Sequence, residues 1–128
     1  MSVKPVVLLL ETEAVARHAL AQYLRECGYL VVEATSTDEA IAYFQGGDAS
    51  VDTALLDVRA SGAENVFELA RRIRSQYRAE VVLVGAIETA AHKAAELCET
   101  GPTLARPYEH SAVLDLIKRL RAERDRSQ

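Results

Sequence analysis

Cysteine is scarce, long apolar runs are missing, and positive charge is in the minority, and each shortage excludes something. Two cysteines, Cys27 and Cys98, lie too far apart in sequence for a disulfide framework or a thiolate metal site, so both are expected to be small buried hydrophobes. The longest apolar run, Val6 to Leu10, falls far short of the roughly 20 residues a membrane-spanning helix needs. Met1 to Pro5 carries no signal-peptide pattern, so a cytoplasmic location is expected. Lys and Arg number 15 against 19 Asp and Glu, a net charge of −4, which argues against a surface built to neutralise nucleic-acid phosphates. There is no glycine-rich phosphate loop, no internal repeat and no low-complexity segment. The three histidines, His18, His92 and His110, are scattered, none at i, i+4 spacing from another His or a Cys.

What is present is an ordinary globular composition, 49% hydrophobic and 27% charged, in 128 residues. That length suits one domain, with its core from about residue 5 to about 124, and an appended output module is not expected. Short apolar runs alternate with longer stretches of helical period, the signature of an α/β fold with a parallel sheet. Strands are expected at Val6–Leu10, Tyr29–Ala34, Thr53–Asp57, Glu80–Gly85 and Thr103–Ala105. The continuous Val and Leu run of Val6–Leu10 suits a central strand covered on both faces.

Helices are expected between and after them. The first runs from about Glu13 to Cys27, with Val15, Ala19, Tyr23 and Cys27 plus Ala16, Leu20 and Leu24 as its apolar stripe and Gly28 as its C-terminal cap. The second covers about Asp38–Gln45, capped by Ser36 or Thr37 and ended by Gly46-Gly47. A third is expected at about Glu64–Tyr77 and an Ala-rich fourth at Thr89–Cys98. The last, about Ser111 to Arg124, should turn Val113, Leu114, Ile117 and Leu120 inward, with Asp125–Gln128 fraying.

In such sheets ligands bind beyond the carboxyl ends of the strands, where strand order reverses. Glu11, Asp57, Gly85-Ala86 and Arg106 stand at those ends. Two carboxylates and a guanidinium on one edge suit Mg²⁺ and a phosphoryl group, with Asp57 as nucleophile toward phosphorus. The plain alternative is that Asp57 caps a turn and that Glu13 serves the helix dipole from the first turn.

From Val6 to about Arg121 the chain resembles the receiver domain of two-component response regulators. The motifs are the strand ending in Glu11-Thr12-Glu13, the run Leu55-Leu56-Asp57-Val58-Arg59 with Gly62 after it, and Arg106-Pro107-Tyr108. The resemblance implies a CheY-like, flavodoxin-like doubly wound (βα)5 three-layer sandwich with a parallel sheet of order 2-1-3-4-5. It implies that Asp57 accepts the phosphoryl group and that Glu11, Asp57 and the backbone carbonyl of Arg59 hold Mg²⁺, with Thr12 a weak contributor. It also implies that Gly85 and Ala86 meet the phosphoryl group through their backbone. The implied partners are a sensor histidine kinase or phosphotransfer protein and a downstream protein, with no nucleic acid and no membrane. A homodimer through the fourth helix, fifth strand and fifth helix is compatible with the resemblance.

The departures are informative. Thr12 stands where the family has a second acidic residue, which weakens the expected Mg²⁺ site. Arg106 replaces the family's lysine, keeping charge but changing shape. Gly85 offers no hydroxyl, Thr103 has no aromatic ring, and Ser61 replaces a proline in the loop after Asp57, which is expected to be more mobile for it. Thr12, Gly85 and Thr103 support an alternative: a phosphorylation-independent pseudo-receiver that acts as a protein-interaction module.

Overall fold

A computed structural model of the chain describes residues 4–46, 50–85 and 102–126. The strands are β1 (Val6–Leu10), β2 (Leu30–Ala34), β3 (Thr53–Asp57), β4 (Glu80–Gly85) and β5 (Thr103–Ala105). They form one parallel sheet in the order β2-β1-β3-β4-β5, as expected. The helices among the described residues are α1 (Ala14–Glu26), α2 (Thr37–Gly46), α3 (Val66–Arg72), which runs on into a π-helical turn (Ile73–Tyr77), and α4 (His110–Arg126). The helix expected at Thr89–Cys98, with Ala86, His92 and Cys98, lies outside the described residues.

Alternation along the strands explains why whole apolar runs are needed. Val6, Leu8 and Leu10 join Ala54, Leu56, Val81 and Leu83 in a core under α2 and α3. Val7 and Leu9 join Leu55, Val82 and Val84 in a second core under α1 and α4. Successive side chains point to opposite faces, so a strand clad on both sides has no polar phase.

Burial corrects part of the helix reading. On α1 the buried residues are Leu20, Ala21 and Leu24, whereas Val15 is 85% exposed and Cys27 is an exposed free thiol. Val15 lies in the first turn and Cys27 just past the last, so only the middle of the helix meets the sheet. Gly28 ends α1 as expected, at φ 98°. Its N–H donates to the Arg25 carbonyl, and that of Tyr29 donates to the Leu24 carbonyl. α3 begins at Val66, not Glu64, because the Asn65 side chain accepts the Glu68 N–H at 2.9 Å and fixes the cap there. Ser36 takes that role for α2, accepting the Glu39 N–H at 3.1 Å. On α4 the inward set is Val113, Leu116, Ile117 and Leu120, with Leu114 only half-buried, and the helix holds through Arg126 rather than fraying from Asp125.

The outer strand β2 is covered by side chains of α1. Glu33 is paired with Arg17 at 3.2 Å and Arg25 at 3.2 Å, His18 Nδ1 stands 2.9 Å from the same carboxylate, and Arg25 also donates to the outward carbonyl of Val31 at 3.0 Å.

Candidate functional site

Strand parity delivers the acidic residues. Glu11 continues the phase of Val7 and Leu9, and Asp57 that of Leu55, so both lie on the α1/α4 side of the sheet, where the register pairs Leu10 with Leu56. Chain connectivity departs in opposite directions from β1 and β3, which makes this edge the crevice where strand order reverses. Glu11 is 1% exposed and Asp57 fully buried, so neither carboxylate is a solvated surface group.

The structure brings Glu11, Thr12, Asp57, Arg59 and Arg106 together. Asp57 Oδ2 accepts the Thr12 hydroxyl at 2.8 Å and the Thr12 N–H at 3.2 Å. Arg106 bridges the two carboxylates, touching Glu11 Oε1 with the same nitrogen that lies 3.1 Å from Asp57 Oδ2. Its Nε is buried without a hydrogen-bond partner among the described residues. The Arg106–Pro107 peptide bond is cis.

Arg59 enters through its side chain, which the sequence did not foretell. Its guanidinium folds back over the turn and grips Asp57 with both a fork and a backbone N–H: Nε to Oδ1 at 3.1 Å, Nη2 to Oδ2 at 3.2 Å and N–H to Oδ1 at 2.9 Å. The same group reaches Glu13 Oε1 at 3.2 Å and Glu11 Oε2 at 3.5 Å. Glu13 therefore makes no side-chain cap on α1; it faces Arg59 from the rim. Tyr108 joins the site as well: its hydroxyl stands 3.5 Å from Glu11 Oε1 and its ring lies 5.6 Å from the Arg106 guanidinium carbon.

Burial pushes the Asp57 carboxyl up, but hydrogen bonds from the Arg59 side chain and backbone, with those from Thr12, overcome it and hold the group well below the usual carboxylate range. Bonding to Asp57 raises Arg59 in turn. Burial, then the charge of Glu11, raises the Tyr108 phenol. At the centre the Glu11 and Asp57 carboxyls face the guanidiniums of Arg59 and Arg106.

Gly85 ends β4 against the turn that follows Asp57. A Cβ built on it would stand 2.3 Å from Val58 Cγ2, so a valine methyl occupies the space a larger residue would need. Thr103, in β5, is exposed. The loop after Asp57 is hydrogen-bonded to α2: Thr37 N–H donates to the Ser61 carbonyl at 3.0 Å and its hydroxyl to the Glu64 carbonyl at 2.8 Å. Gly62, at φ 156°, packs directly on that hydroxyl.

The arrangement does not fit Mg²⁺ as it stands. A hard divalent ion needs carboxylate oxygens with free lone pairs, and a carboxylate offers about four acceptor sites. Those of Asp57 are taken by Arg59, Thr12 and Arg106. Glu11 Oε1 is taken by Arg106 and Tyr108, and Oε2 by the Glu13 N–H and Arg59. No group of three or more His, Cys, Asp or Glu side chains is placed to hold a metal among the described residues.

No protein-family model matches the chain. In sequence it is similar to the transcriptional regulatory protein ResD of Bacillus subtilis (strain 168), 29% identical over 115 residues, covering 89% of this chain and 47% of ResD. The chain spans about half the length of that curated relative. In structure it is similar to a CheY-like receiver domain protein of Methanospirillum hungatei JF-1, with a TM-score of 0.83 at 16% identity, covering 98% of this chain and 100% of that one. The response regulator receiver protein of Sinorhizobium medicae WSM419 matches with 0.78 at 22%, over 91% and 94%. The chemotaxis response regulator CheY4 of Vibrio cholerae matches with 0.78 at 21%, over 91% and 98%. The fold is therefore the flavodoxin-like one of response regulator receivers, and the resemblance carried by the motifs is also present in the architecture. No helix among the described residues is long and apolar enough to cross a membrane.

Proposed function

We propose that the chain is a two-component receiver that takes a phosphoryl group on Asp57 from a sensor histidine kinase or phosphotransfer protein and signals by protein–protein contact. One observation carries this: Glu11, Asp57 and Arg106 converge at the crevice where strand order reverses. Asp57 is already ionised, so it needs no base to act as nucleophile. An Asp57 oxygen bonds to phosphorus as the donor's P–N bond breaks, and the departing imidazole nitrogen keeps the bonding pair. Charge on the transferring group is then met by Arg106 and Arg59, which supply fixed cationic donors. Thr12 donates its hydroxyl to the same carboxylate and holds its orientation.

A second reading has its own observation. Both Asp57 oxygens are tied by donors and Val58 covers Gly85, a closed arrangement suited to a module that works without phosphate. The separating experiment is incubation with acetyl phosphate, with Mg²⁺ and with chelator, followed by intact mass and hydroxylamine trapping. The first reading expects one phosphoryl group, trapped at residue 57 and absent from Asp57→Asn. No incorporation in either buffer, nor from a panel of phosphorylated histidine kinases and phosphotransfer proteins, leaves the second.

A further inference from the structure

We infer that the Arg59 guanidinium takes the place of a divalent cation in this crevice, so that the pocket is complete in charge without metal. The inference rests on reading the crevice as the functional site. Within it, Glu11 and Asp57 supply two buried negative charges, and Arg59 and Arg106 return two positive ones. A further divalent ion would leave an excess of positive charge beside the two buried carboxylates, which is unfavourable even though Arg59 itself is 46% exposed. Glu13 adds a third carboxylate on Arg59 but is 61% exposed, so water screens most of its charge.

Position agrees with charge. Arg59 spans three carboxylates with three different nitrogens, reaching Asp57, Glu13 and Glu11 from one planar group. An ion held by Glu11, Asp57 and the residue 59 backbone would have to compete for the same oxygens. The fork also fixes what a spherical ion would leave free, because both Asp57 oxygens are held in one plane by Nε and Nη2. Thr12 fits the scheme, since its neutral hydroxyl donates to Asp57 and adds no charge that a metal would be needed to balance.

The test is calorimetric titration of the chain with MgCl₂, with no phosphoryl donor present, on the wild type and on Arg59→Met. The wild type should give no saturable binding up to on the order of 10 mM, and Arg59→Met should bind at least roughly tenfold more tightly, because oxygens of Asp57, Glu11 and Glu13 are released from Arg59 while Arg106 remains. Wild-type saturation well below that range, or a folded Arg59→Met that binds no better, overturns the inference. Should Arg59→Met not fold, the thermal midpoint of the wild type decides. It should be the same in MgCl₂ as in NaCl of equal ionic strength, and a rise specific to Mg²⁺ refutes the replacement. Because no phosphoryl donor enters these measurements, failure to label Asp57 would sink the proposed function while leaving this result standing.

Discussion

Gly85→Ala should destabilise the protein, and the reason lies in one methyl group. The new Cβ would meet Val58 Cγ2 at 2.3 Å, well inside the 3.5–4.0 Å at which carbon atoms attract. Valine is stiff at χ1 and cannot swing its methyl away without leaving a rotamer well. Overpacking of this kind costs about 1–3 kcal/mol, against which an alanine in an unstrained strand position returns roughly 0.4–1 kcal/mol through the unfolded chain. The net loss is about 1–2 kcal/mol, a fall of roughly 3–8 °C in melting temperature for a domain of this size. In the Val58→Ala background the nearest atom left to the new Cβ is the residue 58 Cβ at 3.5 Å, an ordinary contact. There the same substitution should be neutral or stabilising. Urea denaturation of the four proteins, followed by far-UV circular dichroism, closes the double-mutant cycle, with a coupling energy of about 1–3 kcal/mol expected. An equal cost of Gly85→Ala in both backgrounds would refute the steric account.

Gly62→Ala should be worse, about 2–4 kcal/mol, because its Cβ would fall 1.9 Å from Thr37 Oγ1 and its φ of 156° suits glycine; a urea midpoint within error of wild type would contradict this. Thr53→Val should gain roughly 0.5–1 kcal/mol, since the Thr53 hydroxyl is buried without a partner among the described residues; a loss would show that it has one. Asp57 has a folded carboxyl below its unfolded value of about 4, so its contribution is present above that pH and is lost as pH falls through the folded value. Urea midpoints should therefore drop more steeply on acidification in wild type than in Asp57→Asn, and parallel curves would rule the contribution out.

The sheet was legible because its chemistry is periodic. Strands buried on both faces must be largely apolar, and β1, β3 and β4 fall where those runs fall. Glu11 and Asp57 were legible as strand ends, and the fixed parity of a strand carries them to one face. The helix stripe was less so. Period alone offers several faces on α1, and only contact with the sheet selects Leu20, Ala21 and Leu24 over Val15 and Cys27. Arg59 was legible as a position but not as a side chain. A long flexible stem can leave a turn in any direction, and its fold back onto Asp57 depends on Glu11 and Glu13 arriving from another strand end. The balance of two acidic residues at the strand ends against arginines at 59 and 106 was the available clue.

The flanks of the sheet bear on how the chain behaves at high concentration. An outer strand is a template on which another chain can grow. On one side β5 is only three residues long, too short to seed a ladder. On the other, Arg25 already occupies the outward Val31 carbonyl, and Glu33 holds Arg17, His18 and Arg25 around it. An incoming strand would have to displace that hydrogen bond and disturb the ion pairs of Glu33 to build a full ladder on β2, which biases the protein against edge-to-edge aggregation.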